Sequence, residues 1–294
     1  MSYRYRLFGN NICDIIGGSF YNRQFNIVKE SNIKYHLFEN IKYNDDECYV
    51  FICNYENLNH LLHDEFFIFY SVWRKNKKQI YIKLYNQYFL DYITAIIGKE
   101  YLIQIENNTL YFINSLLIVN EHRTRNLRDI PDYINILKEI KYNCFEYYNI
   151  IEDRKLNIIY GRENLTRRRL LNINYIKLQE NDIKIIYDLS NYTFKETLEI
   201  LSKAKNFIYV GGAGSFYLQF LDNNVNIIEI YPNMNDSWTE RYGLCNVINL
   251  KIYVSTNTSS NDISANNTGQ KNNKLDEDIN YDLKLETFIL NNIK

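Results

Sequence analysis

The sequence predicts an α/β protein made of two halves of the parallel-sheet type, and three observations lead there. From Tyr49 onward, short apolar runs alternate with amphipathic stretches. A run of small residues, Gly211-Gly212-Ala213-Gly214-Ser215, separates a strand-like apolar segment from a helix-like one. The 294 residues, 46% hydrophobic and 23% charged, suffice for two cores of ordinary size.

The elements follow from the pattern. Strands are predicted near 48–54, 79–84, 101–105 and 109–119, where apolar residues run together, and helices near 58–73 and 87–97, where they recur at helical spacing. The polar, basic stretch 121–131 carries one of the two prolines and reads as a junction. Residues 132–149 return to helical spacing, and a second series begins: strands at 156–161, 184–188, 206–210 and 226–231, with a helix at 194–204. The glycine turn should open another helix. Residues 255–281 are rich in Ser, Thr, Asn and Asp and read as a flexible excursion, after which LKLETFILNNI is amphipathic and suited to dock as a helix. The domains expected are 1–130, 131–254, the excursion 255–281 and the tail 282–294.

Composition excludes several classes. With 34 Lys+Arg against 35 Asp+Glu the net charge is −1, too even for a protein that coats nucleic acid. The 28 tyrosines and the abundance of Ile and Asn read as AT-rich coding, which weakens helix-propensity arguments and leaves periodicity to carry the reading. Five scattered cysteines, without a CxxC pair, suit a reducing compartment, and no Cys/His grouping has zinc spacing. No window resembles a signal peptide or a membrane span, so a soluble, cytoplasmic protein is expected.

Three segments carry residue types suited to chemistry. At Gly212, Ala213, Gly214 and Ser215 the backbone can approach a ligand, and free N–H groups at a helix start attract phosphate; a ligand-free βα turn is the plain alternative. Glu229, read as ending the strand 226–231, can accept from ribose hydroxyls or be a solvated acid. Arg162, followed by Arg167, Arg168 and Arg169, offers guanidinium forks for a diphosphate without a metal ion; the alternatives are an exposed basic helix start or a nucleic-acid contact. In NLNHLLHDE, His60 and Asp64 are four apart and share a helix face, fitting a base and its orienting partner, or a histidine satisfied by a neighbouring carboxylate.

Together these segments resemble glycosyltransferase family 61. Asn57, His60 and Asp64 match its N-x-x-H-x-x-x-D element; Arg162, Arg168, Arg169 and Asn172 match its R…RR-x-x-N element; Gly212, Ala213 and Gly214 match its G-A-G turn, with Glu229 in the following I-E-I strand. The resemblance spans roughly residues 50–232. Gly211 and Tyr217 stand where the family has His and Asn, and Ser215 is expected to compensate as a phosphate donor. The resemblance implies a GT-B arrangement of two Rossmann-like domains with a central cleft. It implies an inverting transfer from a nucleotide sugar, expected to be UDP-linked, to a hydroxyl of a glycan or protein acceptor; the clear Asp-x-Asp, Asp276-Glu277-Asp278, lies in the polar excursion and not at a strand end, so a metal-independent reaction is expected. Asp64 or His60 would be the base, Arg162, Arg168 and residues 212–215 would hold the diphosphate, and Glu229 the ribose. A binding protein of this fold without catalysis and a nucleic-acid module are the competing readings.

Overall fold

A computed structural model of the chain describes residues 4–7, 40–53, 61–84, 86–106, 109–119, 127–162, 168–186, 188–221, 223–232, 250–259 and 277–293. It is a mixed α/β structure with parallel sheets, of Rossmann-like character. It divides into two compact units, Met1–Thr124 and Arg125–Lys294.

The first unit holds strands β1 (Arg4–Leu7), β2 (Asn40–Ile52), β3 (Ile80–Lys83), β4 (Leu102–Gln104) and β5 (Thr109–Val119), in the order β1-β5-β2-β3-β4. All neighbours are parallel except β1 with β5. Helices α1 (Phe67–Trp73) and α2 (Gln87–Ile97) form the crossovers. The side chains that pin α1 to the sheet are aromatic: Phe51 lies 5.8 Å from Phe66 and 4.9 Å from Phe69, and Phe66 lies 5.3 Å from Tyr92, between ring centroids. Asn86 caps α2 by accepting from the Phe89 N–H at 3.0 Å. The expected helix at 58–73 begins, among described residues, as a wide π-helical turn at Leu61–Phe66.

In the second unit α3 (Tyr133–Tyr147) leads to β6 (Leu156–Tyr160), the short β7 (Leu170–Leu171), α4 (Tyr175–Gln179), β8 (Ile183–Ile186), α5 (Phe194–Leu201) and β9 (Ala204–Val210). A 3-10 helix at Ala213–Phe220, β10 (Asn226–Pro232), β11 (Leu250–Ser255), β12 (Thr258–Ser259), β13 (Asp278–Asn280) and α6 (Leu283–Asn292) follow. The main sheet runs β11-β10-β9-β6-β8, every pair parallel. The order reverses between β6 and β9. Parallel strands covered on both faces read as unbroken apolar runs, which is why LNIIY and NIIEIYP were visible in the sequence. One face packs Ile159, Ile208, Ile228 and Ile230 against Leu178 of α4 and Leu285 and Ile289 of α6. Thr193 starts α5 with a capping box, exchanging hydrogen bonds with Glu196.

Two expectations change here. The glycine turn opens an eight-residue 3-10 helix rather than an α-helix. The excursion at 255–281 is ordered at both of its ends, where β12 pairs antiparallel with β13, and β13 pairs parallel with β7. The partner strands sit far apart in sequence, so polar composition alone could not reveal them. The tail forms α6, capped by Asp282, which accepts from the Leu285 N–H at 2.9 Å. Among the described residues no helix is long and apolar enough to cross a membrane.

Candidate functional site

Open parallel sheets bind ligands outside the carboxyl ends of their strands where the strand order reverses, because the two connecting segments leave in opposite directions and open a crevice. In the second unit that place is set by the ends of β6 and β9. Gly161 and Arg162 follow β6; Gly211 and Gly212 follow β9.

The structure brings three of the predicted residues together there. A Cβ placed on Gly212 would lie 2.7 Å from Nη1 of Arg168 and 2.8 Å from Nη1 of Arg162, so both guanidiniums occupy the space beside this one glycine that a side chain would need. Gly212 has φ +133°, a conformation that L side chains rarely adopt. Arg162 and Arg168 themselves occupy the left-handed region, at φ 59° and 53°, and Asn172 does so at 59°. Non-glycine residues held there cost of order 1–3 kcal/mol each and concentrate at functional sites. Arg162 is only 5% exposed, and Nε and Nη1 of Arg162 and Nε of Arg168 are buried atoms that donate no hydrogen bond, while both residues make other contacts. Two cations this close repel each other, which favours an anion between or beside them.

The turn itself is tightly specified. A Cβ on Gly211 would run into the Tyr231 ring, and one on Gly214 would lie 3.1 Å from both Tyr160 and Tyr209. Ser215 is fully buried, and its hydroxyl donates to the Gly212 carbonyl at 2.7 Å, as its N–H does at 3.0 Å. Its proton therefore holds the turn closed, which corrects its expected role as a phosphate donor. Ala213 and Gly214 begin the 3-10 helix, where the first N–H groups have no acceptor inside the helix.

Glu229 is also placed differently from the expectation. It sits at the middle of β10, not at its end, and is 0% exposed. Its Oε1 accepts from the hydroxyls of Tyr209 and Tyr231, the latter at 2.8 Å. Alternation along the strand puts Glu229 on the face opposite Ile228 and Ile230, beside Tyr231, whose ring covers Gly211. The solvated acid is excluded; the carboxylate braces the floor of the glycine turn.

The arginine run is divided by its partners. Arg169 belongs to the small sheet: its N–H donates to Oδ1 of Asp278 at 2.8 Å, and its side chain donates to Oδ2 at 3.0 and 2.5 Å. Asn172 donates to Asn280 at 3.3 Å. Arg167, Asn57 and His60 lie outside the described residues. Asp64 falls in the π-helical turn that follows the end of β2, where the first unit's own parallel order reverses between β2 and β5, and its side chain lies outside the description.

Two residues at the carboxyl edge escaped the sequence reading. Tyr160 ends β6, and its hydroxyl is pushed up to about 12, chiefly by burial, with Arg162 pulling it down and Asp188 pushing it up. Asp188 follows β8 and is 8% exposed. An acid just past a strand end was the available signal. A cavity of about 820 Å3 between α3 and Leu218–Asn224 opens at the other edge, where β6 and β10 begin, away from the arginines. Among the described residues no group of three or more His, Cys, Asp or Glu is placed to hold a metal ion.

No protein-family model matches the chain, and no curated protein matches it as a relative.

Proposed function

We propose that the second unit binds the diphosphate of a nucleotide sugar and that the protein is a glycosyltransferase. The observation that carries this reading is the meeting of the Arg162 and Arg168 guanidiniums on Gly212, at the strand ends where the order of the second sheet reverses. Forked donors in a partly buried setting suit a pyrophosphate. They also supply the positive charge that a departing nucleoside diphosphate requires, the part a divalent ion plays elsewhere.

In this reading the reaction is inverting and metal-independent. A base takes the proton of an acceptor hydroxyl, the oxygen attacks the anomeric carbon, and the bond from that carbon to the diphosphate breaks with the electron pair leaving on the phosphate oxygen. Asp64 or His60 is the proposed base, on a glycan or protein acceptor held by the first unit. The GT-B arrangement with its central cleft, the UDP-linked donor and membership of family 61 belong to the same proposal, supported by the order of the three motif elements.

Titration calorimetry with UDP and UDP-sugars, with and without EDTA, tests it. Micromolar to sub-millimolar binding that EDTA leaves unchanged is expected, and Arg162→Ala should weaken it tenfold or more. Absence of binding at millimolar ligand would overturn the reading. Asp64→Asn should leave donor binding intact and abolish transfer; retained turnover would remove Asp64 from the role. The nucleic-acid reading is weakened by the engagement of Arg169 with Asp278, which takes one cation out of the basic run.

A further inference from the structure

If a diphosphate rests on Arg162, Arg168 and Gly212, the adjoining strand ends constrain where the rest of the nucleotide goes, and the inference below depends on that reading. The ends of β8, β6 and β9 lie side by side. Tyr160 is in register with Ile186 on β8 and with Tyr209 on β9, and the Gly161 N–H donates to the Ile186 carbonyl at 3.0 Å, which extends the pairing beyond β6. Asp188 stands two residues past Ile186 and Arg162 two past Tyr160, so the carboxylate and the guanidinium follow the ends of adjacent strands. Neighbouring strands are about 4.8 Å apart, so the three strand ends that Asp188, Arg162 and Gly212 follow extend over roughly 10 Å. That is comparable to the reach of a ribose 5′-diphosphate from its 2′,3′-diol to its outer phosphate.

We infer that Asp188 is the ribose-binding acid of this site, accepting hydrogen bonds from the sugar diol of a ribonucleoside diphosphate whose phosphates lie on Arg162, Arg168 and Gly212. The placement has a general physical basis: where a phosphate is gripped after the first strand of such a sheet, the ribose falls over the end of the second, and a carboxylate there meets two hydroxyl donors. Asp188 lies two residues past the end of β8, the second strand of the main sheet in chain order. It is 8% exposed, whereas Glu229, the acid that the motif resemblance points to, is fully enclosed and accepts from two tyrosine hydroxyls. In keeping with this, Arg162 draws the Tyr160 hydroxyl down and Asp188 pushes it up, against the larger effect of burial.

The test compares three ligands on three proteins. UDP, 2′,3′-dideoxyuridine diphosphate and inorganic pyrophosphate are titrated into the wild type, Asp188→Ala and Arg162→Ala, with Asp188→Asn as a second variant and far-UV melts of each to establish folding. Expected for Asp188→Ala is a tenfold or greater loss of UDP affinity, with the dideoxy ligand and pyrophosphate within twofold of wild type. The wild type should prefer UDP over the dideoxy ligand by a similar factor, Asp188→Asn should fall between, and Arg162→Ala should weaken all three ligands. Equal weakening of all three by Asp188→Ala would make Asp188 a counter-ion of Arg162 and overturn the inference, as would unchanged UDP affinity. Pyrophosphate binding that Arg162→Ala removes, together with no effect of Asp188, sinks the ribose assignment and spares the diphosphate site. No binding of any ligand by the wild type sinks both.

Discussion

Gly212 is the residue on which the local chemistry turns. Adding one methyl group meets two guanidinium nitrogens under 3 Å away and imposes a side chain on φ +133°. Gly212→Ala is expected to lower stability by about 1–3 kcal/mol in denaturant melts and to reduce UDP affinity at least as much as Arg162→Ala does. Gly214→Ala, with its nearest contacts at 3.1 Å, should be milder in both measurements. Beneath the turn, Glu229→Gln leaves Tyr209 and Tyr231 with a weaker acceptor, and a loss of about 1–3 kcal/mol should appear in the same melts. The residue scale also separates what was readable from what was not. Arg162, Arg168 and Gly212 could be picked out because few residue types do what they do. Glu229 was misread because a strand covered on both faces gives no sign of which polar side chain is sealed in, and Asp188 was passed over because one acid after a strand looks like many others.

At the scale of elements, the C-terminal part of β2, the strands β3, β5, β6, β8, β9 and β10 and the helices α2, α3 and α5 were legible from apolar runs and helical spacing alone, whereas the first half of β2 and the whole of β11 were not read. The strands β7, β12 and β13, of two or three residues, were not, because they exist only through pairing with each other and periodicity needs more length. Their stability rests on side chains. Asp278, 3% exposed, accepts two bonds from the Arg169 side chain, which is 30% exposed, and Asp278→Ala is expected to cost about 1–3 kcal/mol, read as a lower denaturation midpoint. The start of α6 gives a pH prediction. The Leu285 N–H holds the Asp282 carboxyl below its ordinary value, with burial working against this and Asn257 adding to it. A depressed carboxyl stabilises the fold above its unfolded pKa, near 3.8, and this contribution is lost as pH falls through the lower folded value. Protection of the α6 amides, measured as exchange relative to the intrinsic rate at each pH, should therefore fall on acidification below about pH 3.8, and Asp282→Asn should flatten that response.

For the whole molecule, two compact units with separate sheets predict that unfolding is not a single transition. Calorimetry should resolve two events, and UDP should raise only the one belonging to Arg125–Lys294, because a ligand stabilises the part that binds it. At a hundredfold excess over Kd the gain is about 2.7 kcal/mol. A ligand that shifted only the other event would contradict the placement of the donor site. The α/β class and its division into two series could be read from the alternation of patterns. The strand order that sets the crevice could not, since it depends on which strands pair across long stretches of chain.

The partnership of Arg169 with Asp278, 109 positions downstream, together with the seating of Leu285 and Ile289 on the main sheet of the unit, also constrains biosynthesis. During translation the arginine-bearing half of the unit emerges long before the groups that complete it, so it must wait on the ribosome without them. Nonsense or frameshift alleles falling between codons 213 and 278 should yield a product that accumulates poorly, even though every residue assigned to the nucleotide has already been made.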